Sequence, residues 1–156
     1  MSATQLALSG ASRNTEAVVL KFDSVELMIR QDEIRMLEPA SSIDAGDPER
    51  YSVGWVGYMR QRWPVYCLSE QLGLMDNIPS SRRTCVLLPS RDGHIGVLCD
   101  DVSVLKQAAG RNYELPLAMR TAESPILGLL AHSNGMLSVS NANRLAAYIE
   151  YQMHSL

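Results

Sequence analysis

The stretch TCVLLPSRDGHIGVLCDDVSVL, Thr84–Leu105, decides the fold class. Val86–Leu88 and Ile95–Cys99 are apolar runs of strand length, and Ser90-Arg91-Asp92-Gly93 stands between them. Asp-Gly turns a hairpin well because glycine accepts positive φ. The same grammar recurs on both sides. VVLKFDSVELMIR (Val18–Arg30) gives two β-rich runs around Asp23-Ser24, and ILGLLAHSNGMLSVS (Ile126–Ser140) reads as strand, Asn-Gly turn, strand. GWVGYMRQRWPVY (Gly54–Tyr66) reads as another hairpin. Many short strands punctuated by turns predict a mainly β barrel or sandwich, not a βαβ fold.

The remaining segments fit around these hairpins. Residues 1–16 are small and polar and read as a loose tail, leaving 17–156 as one domain. EPASSIDAGDPERYS (Glu38–Ser52) has the composition of a surface connection. In SEQLGLMDNIPSSRR, Ser69 is placed to cap a short helical turn that Asn77-Ile78-Pro79 ends. The closing stretch, NANRLAAYIEYQMHSL, changes period. Leu145, Tyr148, Ile149, Met153 and Leu156 share one helical face and Asn141 or Asn143 supplies a cap, which predicts a terminal helix over 143–154.

At 156 residues the chain is long enough to hold a core without a disulfide or metal. Hydrophobic content of 46% and charged content of 20% are those of an ordinary globular protein. A net charge of −3 weighs against nucleic acid or an anionic membrane as partner. Cys67, Cys85 and Cys99 form an odd set without Cys-x-x-Cys spacing, each inside an apolar run, which suits a reducing cytoplasm. No apolar run reaches the ~18 residues of a membrane span, and the first residues lack the pattern of a secretory leader. The expectation is a cytoplasmic protein without direct membrane insertion.

Catalysis needs convergent groups, and the candidates here are scattered. His94, His132 and His154 each lack a second ligand at metal-binding spacing. His94 and His132 adjoin turns and read as solvated loop histidines. The three cysteines lie on expected strands, where burial makes a thiol inert. Asp100 and Asp101 point to opposite sides of any strand that holds both, so they cannot share a proton. Neither a phosphate-cradling P-loop nor a Gly-x-Gly-x-x-Gly turn occurs. The reading is no enzyme, no cofactor and no metal.

The hairpin at 54–66 carries what chemistry there is: Trp55, Tyr58, Arg60, Arg62, Trp63 and Tyr66. If the turn centres on Arg60-Gln61, Tyr58 faces Trp63 and Trp55 faces Tyr66, and such aromatic pairs hold a hairpin together. Alternation, however, sends Trp55 and Gly57 to one face and Val56 and Tyr58 to the other, so the rings cannot all enter one core. Trp, Tyr and Arg also dominate binding hot spots. Trp55, Tyr58, Arg60, Arg62 and Trp63 are therefore the expected partner-binding residues. Aromatics interleaved with basic residues, with Arg82-Arg83 nearby, also allow a small-barrel protein that binds single-stranded nucleic acid. Asp47, Glu49, Glu70 and the acidic balance oppose it.

From Val18 to the final helix the chain resembles the CheW-like family of bacterial chemotaxis coupling proteins. Glu33-Ile34, Gly54 with the hairpin and Pro64 and Leu68, Gly93-x-x-Gly96-x-x-x-Asp100-x-Val102, Leu129–Ala131, Met136-Leu137 and Asn141-x-x-Arg144-Leu145 match that family's landmarks in order. The resemblance implies two linked five-stranded SH3-like β-barrel subdomains with a C-terminal α-helix. It also implies a non-catalytic adaptor in chemotaxis or pilus-based motility. Its partners would be the regulatory domain of a histidine kinase and the cytoplasmic tip of a methyl-accepting chemoreceptor. One departure stands out. The family's hairpin usually carries Asn-Leu-Arg-Gly before the strand proline, whereas an ungapped match here gives Gly57-Tyr58-Met59-Arg60, a one-residue shift would make Arg60 the counterpart of the Arg, and Cys67 replaces the Asp that often follows. Without the turn glycine, a different turn or a slipped register is expected.

Overall fold

The computed structural model describes residues 16–91, 93–105, 112–116, 118, 121, 123–132 and 135–156. Among the described residues, twelve strands and one α-helix run in the order β1 (Ala17–Phe22), β2 (Val25–Arg30), β3 (Met36–Pro39), β4 (Gly54–Tyr58), β5 (Gln61–Leu68), β6 (Leu74–Met75), β7 (Thr84–Leu88), β8 (Ile95–Cys99), β9 (Asp101–Leu105), β10 (Asn112–Glu114), β11 (Gly128–His132), β12 (Gly135–Val139) and α1 (Ala142–Ser155). One sheet has the order β10-β11-β12-β2-β1-β9, and the other β3-β7-β8-β5-β4 with β6 beside β5. The mainly β architecture of two linked strand assemblies and a terminal helix is as expected.

The expected hairpins form where the turn chemistry placed them. β1 and β2 pair antiparallel from Ala17↔Arg30 to Phe22↔Val25, so Asp23-Ser24 makes the turn, with Asp23 at φ 56°. β7 and β8 pair from Thr84↔Cys99 to Leu88↔Ile95. Gly93 has φ 140° in their loop, and the preceding Asp92 lies outside the described residues. β11 and β12 pair up to His132↔Gly135, while Asn134 of the expected turn lies outside the described residues.

Side-chain alternation sorts the core into three clusters. Sheet two keeps Val56, Trp63, Val65, Cys67, Cys85, Leu87 and Leu98 on one face. Sheet one keeps Val19, Leu130 and Leu137. The opposite faces meet in a common cluster, where Leu20, Phe22 and Leu27 pack with Tyr66, Val86, Val97 and the helix residues Leu145, Tyr148 and Ile149. β7 and β8 are thus buried on both sides, which is why their sequence is nearly continuously apolar. Burying a Leu, Ile or Phe is worth roughly 1.5–3 kcal/mol, so this common seam is what holds the two sheets to each other.

Asp100 alone separates β8 from β9 and carries the chain from one sheet to the other. Its carboxylate ties the crossing down. Oδ2 accepts the Asp23 amide at 2.6 Å and Oδ1 accepts from Arg82 Nη1 at 2.6 Å. Arg82 Nη2 also donates to Asp23 Oδ2 at 3.1 Å and to the Leu68 carbonyl at 2.7 Å. The Arg82 side chain is 0% exposed. Burial opposes its charge, but the two carboxylates outweigh that and hold its pKa above the usual value. Arg82 is therefore no part of a basic surface, which corrects the pairing of Arg82 with Arg83 as nucleic-acid charge. Arg83 is exposed.

Two further expectations are corrected. Ser69 caps no helix: its Oγ accepts the Gly73 amide at 3.1 Å in a tight turn that leads to β6, with Leu72 at φ 65°. Leu156 lies past the end of α1 and is exposed. The helix otherwise fits its pattern. Asn141 is the cap, accepting from the Arg144 amide at 2.7 Å, whereas the Asn143 side chain accepts the Arg91 amide at 2.9 Å. Glu33 adds a second acceptor at this end, its Oε1 bonding the Ala142 amide at 2.7 Å, where a carboxylate also meets the positive end of the helix dipole. No helix among the described residues is long and apolar enough to cross a membrane.

Candidate functional site, the β4–β5 hairpin

The register of this hairpin differs from the expected one. β4 and β5 pair as Gly54↔Val65, Trp55↔Pro64, Val56↔Trp63, Gly57↔Arg62 and Tyr58↔Gln61. The turn is Met59-Arg60, one step earlier than Arg60-Gln61, with φ of 52° and 64°. Positive φ at both central residues is the requirement of a type I′ turn, whose twist suits a tight hairpin. Neither residue is Gly or Asn, so the turn keeps its geometry at a steric cost of roughly 1–2 kcal/mol per residue.

The corrected register sorts the rings. Trp63 lies opposite Val56 on the inner face, is 2% exposed, and sends its indole N–H to the Tyr58 carbonyl at 3.2 Å. It belongs to the core, so it is withdrawn from the set of contact residues. An aromatic beside the turn of a strand that is buried on one face fills that face first. Tyr58 meets Trp63 edge-on at 6.0 Å across the diagonal, not as a direct pair, and is half-buried. His94 stacks on the other side of Trp63 with centroids 4.3 Å apart. It is therefore a half-buried packing residue, which corrects its reading as a solvated loop histidine. The His132 side chain lies outside the described residues, and His154 is exposed in the last turn of α1.

Trp55, Gly57 and Arg62 form the outer face. The Trp55 indole donates to the Gly46 carbonyl at 2.7 Å, which pins the ring to the 44–53 loop. That loop is registered by a two-way bridge between Asp44 and Trp55, at 2.8 and 2.9 Å. A Cβ on Gly54 would sit 2.6 Å from the Asp44 carbonyl oxygen, so glycine is required beside the bridge. Arg62 lays its guanidinium 4.0 Å over the Trp55 ring and reaches Asp47 at 3.9 Å. A flat cation held on an aromatic face gains about 0.5–1 kcal/mol and loses little freedom on meeting a carboxylate. At the tip, Met59 is 72% exposed and Arg60 projects beside it. Trp55, Tyr58, Arg60 and Arg62 thus stay at or near the surface, joined by Met59, which composition alone did not single out.

Among solved structures the chain has likenesses in fold. The chain superposes on the scaffolding protein TtCheW from Thermoanaerobacter tengcongensis with a TM-score of 0.66, covering 85% of this chain and 92% of that one at 13% identity. The fold is the CheW fold. No family model matches the chain, and no curated protein matches its sequence. Within the CheW fold, the landmarks read from the sequence acquire structural jobs. Glu33 caps the terminal helix, Ile34 packs against the common cluster, and Gly96 leaves room where a Cβ would meet Cys85 Sγ and Val65 Cγ2 at 3.0 Å.

The thiols take no part in this surface. All three are buried. Burial pushes the Cys85 thiol up to about 12, and it raises Cys67 and Cys99 as well, Arg82 only partly opposing it at both. A thiol held protonated and out of reach is neither nucleophile nor metal ligand. No group of three or more His, Cys, Asp or Glu side chains among the described residues is placed to hold a metal ion.

Proposed function

We propose that the protein is a non-catalytic scaffold that couples a chemoreceptor-type sensor to a histidine kinase in a bacterial chemosensory pathway, serving chemotaxis or pilus-based motility. The observation that carries this reading is the likeness in fold to a scaffolding protein over 85% of the chain. The sequence landmarks along the same span support it independently. The partners in this reading are the kinase regulatory domain and the cytoplasmic tip of a methyl-accepting receptor, and the work is done in the cytoplasm.

Met59, Arg60 and the Arg62–Trp55 stack form the contact surface in this reading, with Tyr58 at its border. An exposed apolar tip flanked by guanidinium groups suits a partner surface that offers an apolar pocket rimmed by carboxylates. The test is capture of the purified regulatory domain of the chemosensory kinase encoded with this protein. Arg60→Ala combined with Arg62→Ala is expected to cut capture about tenfold or more while folding stability changes by less than about 1 kcal/mol. Unchanged capture by the double variant would remove the hairpin from the interface. Failure of the unaltered protein to capture either kinase or receptor would remove the adaptor reading.

A further inference from the structure

A groove of about 530 Å³ opens where β5, the 89–94 loop and α1 come together, on the side of the hairpin that carries Arg62. Its apolar lining comes from Pro64, Ile95, Ile149 and Met153. Tyr66 lines it too. This side chain is only 4% exposed, and its hydroxyl makes no hydrogen bond with any described residue. The ring is buried but the oxygen is not shut off from the groove, so it is open to a donor or acceptor that enters there.

The charges around Tyr66 say what would fill it. Burial first, and then the carboxylates of Glu49 and Glu150, push the Tyr66 hydroxyl up to about 12. Those two carboxylates come from different elements, the 44–53 loop and α1, and both border the groove. Neither is ion-paired or hydrogen-bonded through its side chain to a described residue. The one guanidinium on the groove's lining is held elsewhere: Arg62 lies on Trp55 and reaches Asp47. Two carboxylates without a side-chain partner among the described residues thus line the same groove as the Tyr66 hydroxyl and the apolar floor.

We infer that this groove is a docking site for a partner segment that presents a basic side chain beside apolar ones. The ammonium or guanidinium group donates to Tyr66 Oη and sits between Glu49 and Glu150, while the apolar neighbours cover Ile95, Ile149 and Met153. The volume accommodates a few side chains and not a whole helix, so the segment inserts a short motif. The groove adjoins Arg62, so a partner seated on the hairpin reaches it without a second binding event. Charge complementarity chooses the occupant: an acidic segment would meet the carboxylates of Glu49 and Glu150, with Arg62 already held on Trp55 and Asp47, whereas a basic one is attracted by both.

The test is an NMR titration of the full chain with two amidated probes, a hexapeptide of alternating leucine and lysine and its leucine–glutamate counterpart. The lysine peptide is expected to shift the resonances of Tyr66, Ile95, Ile149 and Met153, and the glutamate peptide to leave them unmoved. Glu49→Gln with Glu150→Gln is expected to weaken the lysine peptide about tenfold or more, and Tyr66→Phe to weaken it several-fold with the ring still in place. Both carboxylates are exposed, so the double variant keeps its fold. Equal shifts from the two peptides, shifts confined to other surfaces, or unchanged affinity in the double variant would each overturn the inference. A dimer that dissociates in the double variant would also overturn it, by making a second copy the occupant. The inference rests on the adaptor reading for the partner's identity, and the two fail separately. Loss of kinase capture with the peptide still bound at Tyr66 sinks the adaptor alone, whereas full kinase capture by the double variant with no peptide response sinks the groove alone.

Discussion

Replacing Arg82 with Met tests how the two sheets are held in register at their crossing. The guanidinium makes three hydrogen bonds, to Asp100, Asp23 and the Leu68 carbonyl, from a side chain with no exposed surface. Methionine fills most of the stem's volume, so little is lost in packing. Removing one partner of a buried ion pair costs about 3–5 kcal/mol. Here Asp23 is 44% and Asp100 17% exposed, so both carboxylates can rehydrate, which favours the lower end, about 3 kcal/mol. With a urea slope of about 1.5–2 kcal/mol/M, the unfolding midpoint should fall by about 1.5–2 M. The variant should also lose an acid-labile component of stability. Burial alone would raise the Asp100 pKa, but hydrogen bonds from Arg82, the Asp23 amide and Ser81 together outweigh it and hold the value low. A carboxyl depressed in the folded state contributes its full stability above its ordinary value near ~4 and loses it as pH falls through the depressed one. Unaltered protein should therefore weaken from about pH 5 downward, and Arg82→Met should show a flatter profile over that window. Arg83→Met, at the exposed neighbour, should change stability by less than about 0.5 kcal/mol. A loss below about 1 kcal/mol for Arg82→Met, or an acid profile as steep as that of the unaltered protein, would refute the assignment of the clamp to this side chain.

Three further perturbations address the turn, the helix and the thiols. Met59→Asn with Arg60→Gly installs residues suited to positive φ and should stabilise the protein by about 1 kcal/mol in urea unfolding, while reducing partner capture by removing the tip side chains. A loss of stability would show that the turn is not type I′. Glu33→Ala should cost about 1 kcal/mol by stripping an acceptor from the first turn of α1, and Glu33→Gln should recover part of it; equal losses would assign the effect to charge alone. Iodoacetamide should label Cys67, Cys85 and Cys99 only as fast as the protein opens, the rate rising with urea along the unfolding curve. Rapid labelling of one thiol in the native state would contradict its burial.

The hairpins and the helix were legible because their boundaries rest on local chemistry. Asp23-Ser24, Gly93 and Gly135 each stand at positive-φ positions or in two-residue connections, and Asn141 opens a stripe of period 3.6. The β4–β5 register was not, because Met59-Arg60 carries none of the residues that normally mark a left-handed pair. Tertiary constraint sets it instead: Trp63 must face Val56 in the core, and Gly54 must meet the Asp44 bridge. Arg82 looked like surface charge beside Arg83 because its partners lie 18 and 59 positions away, beyond any local pattern. The groove beside Tyr66 was hidden for the same reason, since Glu49 and Glu150, which line it with Tyr66, come from distant parts of the sequence. Arg60 and Arg62 are exposed and Tyr58 is half-buried, while Trp63 shares a face with Val56 and Tyr58 in either register, so what hid its place in the core was not the turn but which face the core would cover.

The order of strands along the chain also bears on synthesis. All strands of sheet two lie between residues 36 and 99, so that sheet can assemble while the rest is still being translated. The β1–β2 hairpin emerges first, yet its neighbour β12 and the helix that covers it come from residues 135–155. Leu20, Phe22 and Leu27 can meet Tyr66, Val86 and Val97 of sheet two by then, but Leu145, Tyr148 and Ile149, which complete the same cluster, are made last. A nascent chain paused shortly after Leu105 would display a seam closed on one side only to any holdase within reach, and its release would depend on the helix arriving.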